Sequence, residues 1–130
     1  MIIDTSAIIA VLFNESDAEI YANAIAQADV CRISAATYVE AAVVIEVQTS
    51  GSGSRQLDAF MRRAGITLEP VTEDHAHIAR QAFTDFGKGR HPAALNYGDC
   101  FSYALAKATG EPLLFKGRDF SKTDLIAAHG

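Results

Sequence analysis

The sequence predicts an α/β fold, a three-layer α/β/α sandwich around a central sheet of four to five mainly parallel strands. Short apolar runs such as "MII" and "PLLF" are too brief for helices and are typical of buried strands. Between them, apolar residues recur at helical spacing. Strands that alternate with amphipathic helices indicate a parallel sheet covered on both faces, with right-handed crossovers. A chain of 130 residues has the length of one domain, expected to span residues 1–130.

The first half of the chain is predicted to contain two strands and three helices. In order, these are a strand at residues 1–3, a helix over 6–13, a helix to about Ala28, a strand over 30–34 and a long helix over 35–49. Ser16 and Glu19 have the spacing of a capping box at the start of the second helix. Ser34 is predicted to cap the long helix, which ends at the turn "SGSG".

The second half continues the alternation. A helical stripe made by Leu57, Phe60, Met61 and Ala64 ends at Gly65, and residues 66–71 are predicted to be extended. Thr72 opens the next helix, whose predicted buried face is Ala79, Ala82, Phe83 and Phe86. After the loop "GKGRHPAALN", a helix marked by Phe101, Ala104, Leu105 and Ala108 ends at Gly110. The strand "PLLF" and a short C-terminal element complete the chain.

Composition excludes some classes of protein. The formal net charge of −5 argues against a domain that grips a phosphate backbone by bulk attraction, since such domains are usually basic. No apolar stretch approaches the ~18 residues of a membrane helix, and the N-terminus lacks the pattern of a secretion signal. We therefore expect a cytoplasmic protein without a membrane partner. Cys31 and Cys100, each in an apolar segment, are predicted to be buried thiols.

Four carboxylates stand in unusual surroundings. Asp4 lies between a buried strand and a buried helix, and Glu40 is alone on a helix that is apolar on nearly every side until Glu46. Asp99 is in the first turn of an almost wholly apolar helix, and Asp119 follows the strand "PLLF". In parallel sheets, functional sites form beyond the carboxyl ends of the strands. We therefore expect these four side chains to meet at that edge.

Each carboxylate also has a structural explanation. Asp4 or Asp99 can stabilise a helix N-terminus by ~0.3 to 1 kcal/mol, which is the simpler explanation for either one alone. Glu40 can pair with Arg32, and Asp119 can be a turn residue that bonds its own backbone. Convergence of all four at one edge is harder to explain by four separate structural roles.

A shared acidic site would need a counterion. Two like charges ~4 Å apart repel by ~4 kcal/mol at an effective dielectric constant near 20. A divalent cation relieves that repulsion, and all-oxygen ligands without a cysteine or histidine cluster select Mg²⁺, with Mn²⁺ as a substitute, over zinc. Mg²⁺ also binds phosphate, so the pattern favours phosphoryl chemistry.

The chain resembles the PIN-domain ribonucleases from end to end, and in particular the VapC-type toxins of type II toxin-antitoxin modules. The matching segments are "MIIDTSAIIA", "ISAATYVEAAVVI" and "GKGRHPAALNYGDCFSYALAKATGEPLLFKGRDFSKTDL", the last being the most specific. The resemblance implies that Asp4, Glu40, Asp99 and Asp119 are the catalytic and metal-binding residues. It also implies that Ser6 assists the first carboxylate or a metal-bound water, that Asn96 caps the helix of Asp99, and that Asp124 has a supporting or turn role.

The same resemblance implies a Mg²⁺-dependent endoribonuclease that leaves a 5′-phosphate and a 3′-hydroxyl. It implies a homodimer, and a hetero-oligomer with a cognate antitoxin whose C-terminal segment wraps the toxin. Apolar side chains such as Val43, Val44 and Val47 suit a buried partner surface, and equally suit the domain core.

Several cations are candidates for RNA contact. They are Lys88, Arg90, Lys107, Lys116 and Arg118, although a solvated surface charge explains any one of them singly. Arg118 departs from the resemblance, because the family usually has Asn or Asp there. Tyr97 can stack on a base or pack locally.

Two other functions fit a similar α/β fold. A phosphoacceptor signalling domain also gathers acidic residues and a lysine at a sheet edge with Mg²⁺. It calls for an acidic pair after the first strand, where this chain has Thr5 and Ser6. A non-catalytic interaction module would tolerate loss of the acidic set, all four members of which are present here.

Overall fold

A computed structural model describes residues 1–128, so the last two residues of the expected 1–130 domain, His129 and Gly130, lie outside the described residues. Its sheet has four strands: β1 (Ile2–Ile3), β2 (Cys31–Ser34), β3 (Ile66–Glu69) and β4 (Leu113–Leu114). Their spatial order is β3-β2-β1-β4 and every pairing is parallel. The predicted parallel α/β sheet is confirmed, with four strands.

Helices occupy the connections. They are α1 (Thr5–Leu12), α2 (Ala18–Gln27), α3 (Ala35–Thr49), α4 (Ser54–Ala64), α5 (Glu73–Phe86) and α6 (Tyr97–Thr109), followed by a 3₁₀ turn over Phe120–Lys122. In the described range 1–128, no helix combines the length and apolarity needed to cross a bilayer.

Both faces of the sheet are buried, because successive strand residues point in opposite directions. Ile2 and Leu113 pack into a core with side chains of α5 and α6. Their neighbours Ile3 and Leu114 pack into a second core with side chains of α1 to α4. The result is the predicted three-layer sandwich, with β1 in the interior of the sheet.

The predicted helix boundaries hold best where a capping side chain is present. Ser34 accepts a hydrogen bond from the backbone N–H of Ala36 and α3 spans Ala35–Thr49, as expected. The capping box at Ser16 is wrong, since α2 begins at Ala18 and Asp17 occupies its N-cap without a side-chain hydrogen bond. The neighbouring residues of "ESDAE" offer several capping side chains, and spacing alone did not separate them.

One residue of the buried face predicted for α5 lies at the surface. Phe83 is 39% exposed, although Ala79 and Ala82 are buried as expected. Helical periodicity gives the direction of an apolar face but not how far the neighbouring layer extends across it. Cys31 and Cys100 are both free and buried, as predicted.

The strand order creates a switch point beside β1. The chain steps from β1 to β2 and β3 on one side, and returns to β4 on the other. Asp4 follows β1 at this place, and its backbone N–H donates to Leu114 O of β4 at 3.0 Å. Switch points of this kind open a crevice at the carboxyl ends of the strands.

Candidate active site

Asp4 is a buried carboxylate held by three hydrogen-bond donors. It is only 3% exposed, at the N-cap of α1. Its Oδ2 accepts from the backbone N–H of Ser6 at 3.0 Å and from Ser6 Oγ at 2.6 Å. Its Oδ1 accepts from Ser102 Oγ of α6 at 2.6 Å. Helix capping alone does not account for this burial or for a donor from a distant helix.

Ser6 joins the ends of two strands. Besides donating to Asp4, its hydroxyl accepts from the backbone N–H of Lys116, after β4, at 2.9 Å. The ammonium of Lys116 is bound elsewhere, at 2.6 Å from Glu15 and 3.0 Å from Asp17. The hydrogen bonds of Ser6 therefore fix the orientation of the Asp4 carboxylate. Lys116 contributes to this arrangement through its backbone N–H and not through its ammonium group.

Glu40 lies against the first turn of α6. Its Oε1 accepts from Thr5 Oγ1 at 2.6 Å. A methyl group added at Gly98 would overlap the Glu40 carboxylate, so only glycine allows this approach. The expected alternative, a pair between Glu40 and Arg32, is wrong, because Arg32 binds two other carboxylates.

Asp99 is fixed by a reciprocal cap. The backbone N–H of Asn96 donates to Asp99 Oδ2 at 3.0 Å, and the backbone N–H of Asp99 donates to Asn96 Oδ1 at 2.8 Å. The N-cap role expected for Asn96 is confirmed. Asp99 belongs to the first turn of α6, and the Glu40 carboxylate lies against the same turn. Two carboxylates are therefore located at this helix N-terminus.

The pKa of Asp99 indicates how the four carboxylates act on one another. Burial is the main cause that raises this pKa, the Asn96 N–H opposes it, and the negative charges of Asp4, Glu40 and Asp119 add to it, which together bring the pKa of Asp99 to about 7. Asp119 itself is exposed, at the start of the 3₁₀ turn, and no side-chain cap is made by it there. We call Asp4, Glu40, Asp99 and Asp119 the acidic site.

Other predicted residues lie apart from the acidic site. Lys107 is eight residues beyond Asp99 in α6, about 12 Å along the helix axis, and its Nζ is 2.6 Å from Asp124 Oδ2. Asp124 also accepts from Tyr103 at 2.7 Å, so it fastens the C-terminal segment to α6.

The remaining predicted contacts are at the surface. Arg118, Lys88 and Arg90 are exposed. Tyr97 is exposed and packs edge-on against Phe101, with ring centroids 5.0 Å apart. Among these residues, Arg118 is the sequence neighbour of a member of the acidic site, Asp119.

The acidic site has the donor chemistry of a hard cation but is not a closed cage. Within residues 1–128, no three His, Cys, Asp or Glu side chains are already grouped to ligate one metal ion. The oxygens are nevertheless the type that Mg²⁺ prefers, and Mg²⁺ commonly keeps several waters between itself and the protein. The mutual repulsion at Asp99 is the kind that a cation relieves. The residues therefore fit a partly hydrated divalent ion.

Two buried hydroxyls at this site escaped sequence reasoning. Ser102 and Thr37 lie next to each other, and Ser102 contacts Asp4 across 98 positions of sequence. One signal was available: each lies three residues from a predicted ligand on the same helix, Thr37 before Glu40 and Ser102 after Asp99. Gly98 was also missed as a site residue.

Comparison with known proteins gives matches over nearly the whole chain. The family model for the PIN domain matches residues 1–126. Ribonuclease VapC of Mycolicibacterium smegmatis is 52% identical over 129 residues, which cover 99% of this chain and 100% of that protein. Ribonuclease VapC28 of Mycobacterium tuberculosis is 55% identical over 129 residues, covering 98% of this chain and 97% of that protein.

Solved structures share the fold at low sequence identity. VapC20 of Mycobacterium tuberculosis, described as a sarcin-ricin loop cleaving toxin, matches with a TM-score of 0.78 and 16% identity, covering 96% of this chain and 95% of that chain. VapBC2 from Rickettsia felis, solved with a DNA fragment from its promoter, matches with a TM-score of 0.75 and 13% identity, covering 97% and 94%.

Proposed function

The chain belongs to the PIN-domain family, among its VapC ribonucleases, and from that premise we propose that it is a Mg²⁺-dependent endoribonuclease and the toxin of a toxin-antitoxin pair. In this proposal the catalytic and metal-binding side chains are those of Asp4, Glu40, Asp99 and Asp119. Mn²⁺ can replace Mg²⁺, since both are hard ions that accept oxygen ligands.

The observation that carries the proposal is the electrostatic coupling within the acidic site. Three carboxylates on different elements raise the pKa of Asp99 to about 7, after burial as the larger cause. Among the ion pairs of residues 1–128, none involves a member of the acidic site. A protein that keeps such a cluster without an internal cation gains from a bound one.

The chemistry that a bound Mg²⁺ supplies is Lewis acidity, which lowers the pKa of a water and offsets negative charge on the reacting phosphate. In the hydrolysis, the water oxygen bonds to phosphorus while the bond from phosphorus to the 3′ oxygen breaks. The leaving oxygen takes up a proton. The products are a 5′-phosphate and a 3′-hydroxyl.

The chain's own residues hold the carboxylates in place for this reaction. Asp4 is restrained by Ser6 and Glu40 by the Thr5 hydroxyl. Asp99 is restrained by the backbone of Asn96. Fixed carboxylates need no reorganisation when substrate arrives, which lowers the barrier.

RNA contact is proposed for three of the cations singled out in the sequence. Arg118 is exposed next to Asp119. Among the ion pairs of the described part of the chain, none involves Arg118. Lys116 and Lys107 already hold carboxylates, so we assign them a lesser share of RNA binding. Ser6 is proposed to act on substrate only through Asp4.

An antitoxin is the proposed partner, with a homodimer as the proposed form of the toxin in the cytoplasm. A solved relative in fold is described as a toxin-antitoxin complex from Klebsiella pneumoniae. On α3, Val39, Val43 and Val47 recur every four residues and are 56%, 55% and 75% exposed. Such a stripe is typical of a surface covered by a partner. Val44, also expected there, is half-buried.

Family membership favours the nuclease over the two other candidate functions. A phosphoacceptor domain is expected to carry an acidic pair after β1, where Asp4 is followed by Thr5 and Ser6. An interaction module has no need for four coupled carboxylates.

The test replaces one carboxylate in the purified, antitoxin-free protein. Asp99→Asn keeps an oxygen that accepts from Asn96, so we expect an unchanged circular dichroism spectrum and a cleavage rate at least ~100-fold lower. The matched control is Asp74→Asn, which removes an exposed carboxylate from the first turn of α5. Equal cleavage rates for Asp99→Asn and the parent protein would refute the site.

A further inference from the structure

A chain of buried hydroxyl groups ends at Asp4. Ser102 is 0% exposed and Thr37 is 1% exposed, and their hydroxyl oxygens are 3.1 Å apart. Ser102 Oγ is also 2.6 Å from Asp4 Oδ1. These hydrogen bonds connect α3, α6 and the end of β1 through three side chains. We call Thr37, Ser102 and Asp4 the hydroxyl relay.

The direction of these hydrogen bonds follows from counting protons. A serine hydroxyl has one proton, and that of Ser102 goes to the carboxylate of Asp4, which can only accept when ionised. Thr37 must then donate its own proton to Ser102 Oγ. The relay runs in one direction, from Thr37 to Ser102 to Asp4.

This relay leaves Asp4 with one open position. An ionised carboxylate has about four acceptor positions. Two on Oδ2 are taken by the backbone N–H and hydroxyl of Ser6, and one on Oδ1 is taken by Ser102. One acceptor position, on Oδ1, remains for another ligand.

Ser102 does not make the hydrogen bond that is usual for its position. A helical hydroxyl commonly bonds the carbonyl four residues earlier on its own helix. Thr109, in the same helix, does so, with its Oγ1 at 2.8 Å from Leu105 O. Ser102 instead reaches out of α6 to Asp4, so its hydroxyl is directed by the acidic site and not by the helix.

We propose that Ser102 and Thr37 are positioning residues, which fix Asp4 through its Oδ1 and so set the affinity of the acidic site for a divalent ion. The proposal rests on the proposed function, since it assigns Asp4 to the ion. Partners of this kind orient a ligand, and their loss typically weakens metal binding by about 10- to 100-fold. Neither residue touches substrate, so each acts on the reaction through Asp4 alone.

The experiment measures Mn²⁺ binding by calorimetry without RNA, and kcat and KM for RNA cleavage separately. For Ser102→Ala and Thr37→Val, we expect the Mn²⁺ dissociation constant to rise about 10-fold or more, with kcat lowered and KM for RNA unchanged. Thr37→Ser restores the donor and should bind Mn²⁺ as the parent does. Thr109→Val removes a hydroxyl at the other end of α6 and should leave Mn²⁺ binding unchanged.

The outcomes separate this proposal from the proposed function. If Asp4→Asn weakens Mn²⁺ binding while Ser102→Ala and Thr37→Val only lower the melting temperature, the relay is structural and the positioning role is overturned. If Asp4→Asn itself binds Mn²⁺ as tightly as the parent, Asp4 is not a metal ligand. The proposed function of the acidic site and the positioning role of Ser102 and Thr37 are then both refuted. If Ser102→Ala does not fold, the pair Thr37→Val and Thr37→Ser decides, and equal Mn²⁺ affinities for that pair overturn the proposal.

Discussion

Two clusters of charged side chains lie beside the same sheet. Within residues 1–128, one of them contains cations that pair with its carboxylates and the other does not. In the paired cluster, Arg32 lies 3.0 Å from Glu69 and 3.1 Å from Glu111. There, a hydrogen bond from the Met1 amino group lowers the pKa of Glu111, and the charge of Arg32 lowers it further. In the acidic site, burial and three carboxylates raise the pKa of Asp99 to about 7.

This difference supports a structural role for the paired cluster and the proposed metal-binding role for the acidic site. The paired cluster is complete in the folded chain, so it stabilises the fold and has no position left for a cation. In the acidic site, hydroxyl and backbone N–H donors hold the carboxylates of Asp4, Glu40 and Asp99, which fixes their geometry without cancelling their charge. This arrangement is consistent with the proposal that a divalent cation from solution binds at the acidic site.

The largest effect on this contrast is expected from Gly98→Ala. The added methyl overlaps the Glu40 carboxylate and forces it away from the first turn of α6. A displacement of about 1 Å in a catalytic group costs about 100-fold in rate, so we expect cleavage to fall by that order. Cleavage assays check the rate.

A double-mutant cycle tests whether the effect of Gly98→Ala on stability arises from its contact with Glu40. Melting temperatures of Gly98→Ala, Glu40→Ala and the double variant reveal whether the two positions are coupled. We expect the double variant to recover the stability that Gly98→Ala loses, since the shorter side chain removes the overlap. Additive losses would show that Glu40 and Gly98 do not meet.

A change in the paired cluster should affect stability and spare catalysis. Arg32→Gln leaves Glu69 and Glu111 without their shared cation, so we expect a modest fall in the melting temperature, of about one to a few degrees, because Arg32 is partly exposed. Mg²⁺-dependent cleavage should stay within about twofold of the parent rate. Arg80→Gln, at an exposed position of α5, is the control for loss of a positive charge. A large loss of cleavage in Arg32→Gln alone would mean that the two clusters are not separate.

The pH dependence of stability should differ between the parent and Asp99→Asn when metal is removed with a chelator. Below its unfolded pKa of 3.8, Asp99 is neutral in both folded and unfolded states; above about 7 it is ionised in both. Because the folded pKa is the higher one, Asp99 lowers stability progressively as pH rises from about 4 to about 7.

Thermal unfolding at pH 5 and pH 8 checks this effect. The melting temperature of Asp99→Asn, relative to the parent, should increase by a few degrees between the two pH values. Saturating Mg²⁺ should reduce that increase, because the ion stabilises ionised Asp99. A constant difference between the two proteins across this range would contradict the raised pKa.

The smallest effect is expected from Arg118→Gln, which removes an exposed cation beside Asp119. A single phosphate contact positions RNA without carrying the chemistry, so KM should rise by about two- to fivefold with kcat unchanged. Steady-state kinetics with Arg55→Gln, an exposed position in the first turn of α4, as control checks this. An unchanged KM would show that Arg118 does not contact the RNA substrate.

Local signals in the sequence predicted much of the fold. The cap at Ser34 and the stop at Gly65, which adopts a φ of 65°, are decided by neighbouring residues, and both predictions are confirmed. The exposure of Phe83 was not predictable in this way, because it depends on how far α6 covers α5.

The sequence singled out the carboxylates of the acidic site as proposed metal ligands, but not the side chains that hold them in place. Asp4, Glu40 and Asp99 were conspicuous as isolated charges in apolar segments. The contacts that hold them are long-range: Thr5 meets Glu40 across 35 positions, and Ser102 meets Asp4 across 98. A buried hydroxyl has no periodicity that distinguishes such a contact from ordinary helix packing.

Calorimetric titration of Mn²⁺ into the metal-free parent, Asp99→Asn and Glu111→Gln tests the contrast between the two clusters most directly. Each variant removes one carboxylate, from the acidic site and from the paired cluster respectively. We predict that Asp99→Asn binds Mn²⁺ at least about 10-fold more weakly than the parent, and that Glu111→Gln binds it as the parent does. Equal binding by all three proteins, or a loss confined to Glu111→Gln, would contradict the assignment of the acidic site to a divalent cation.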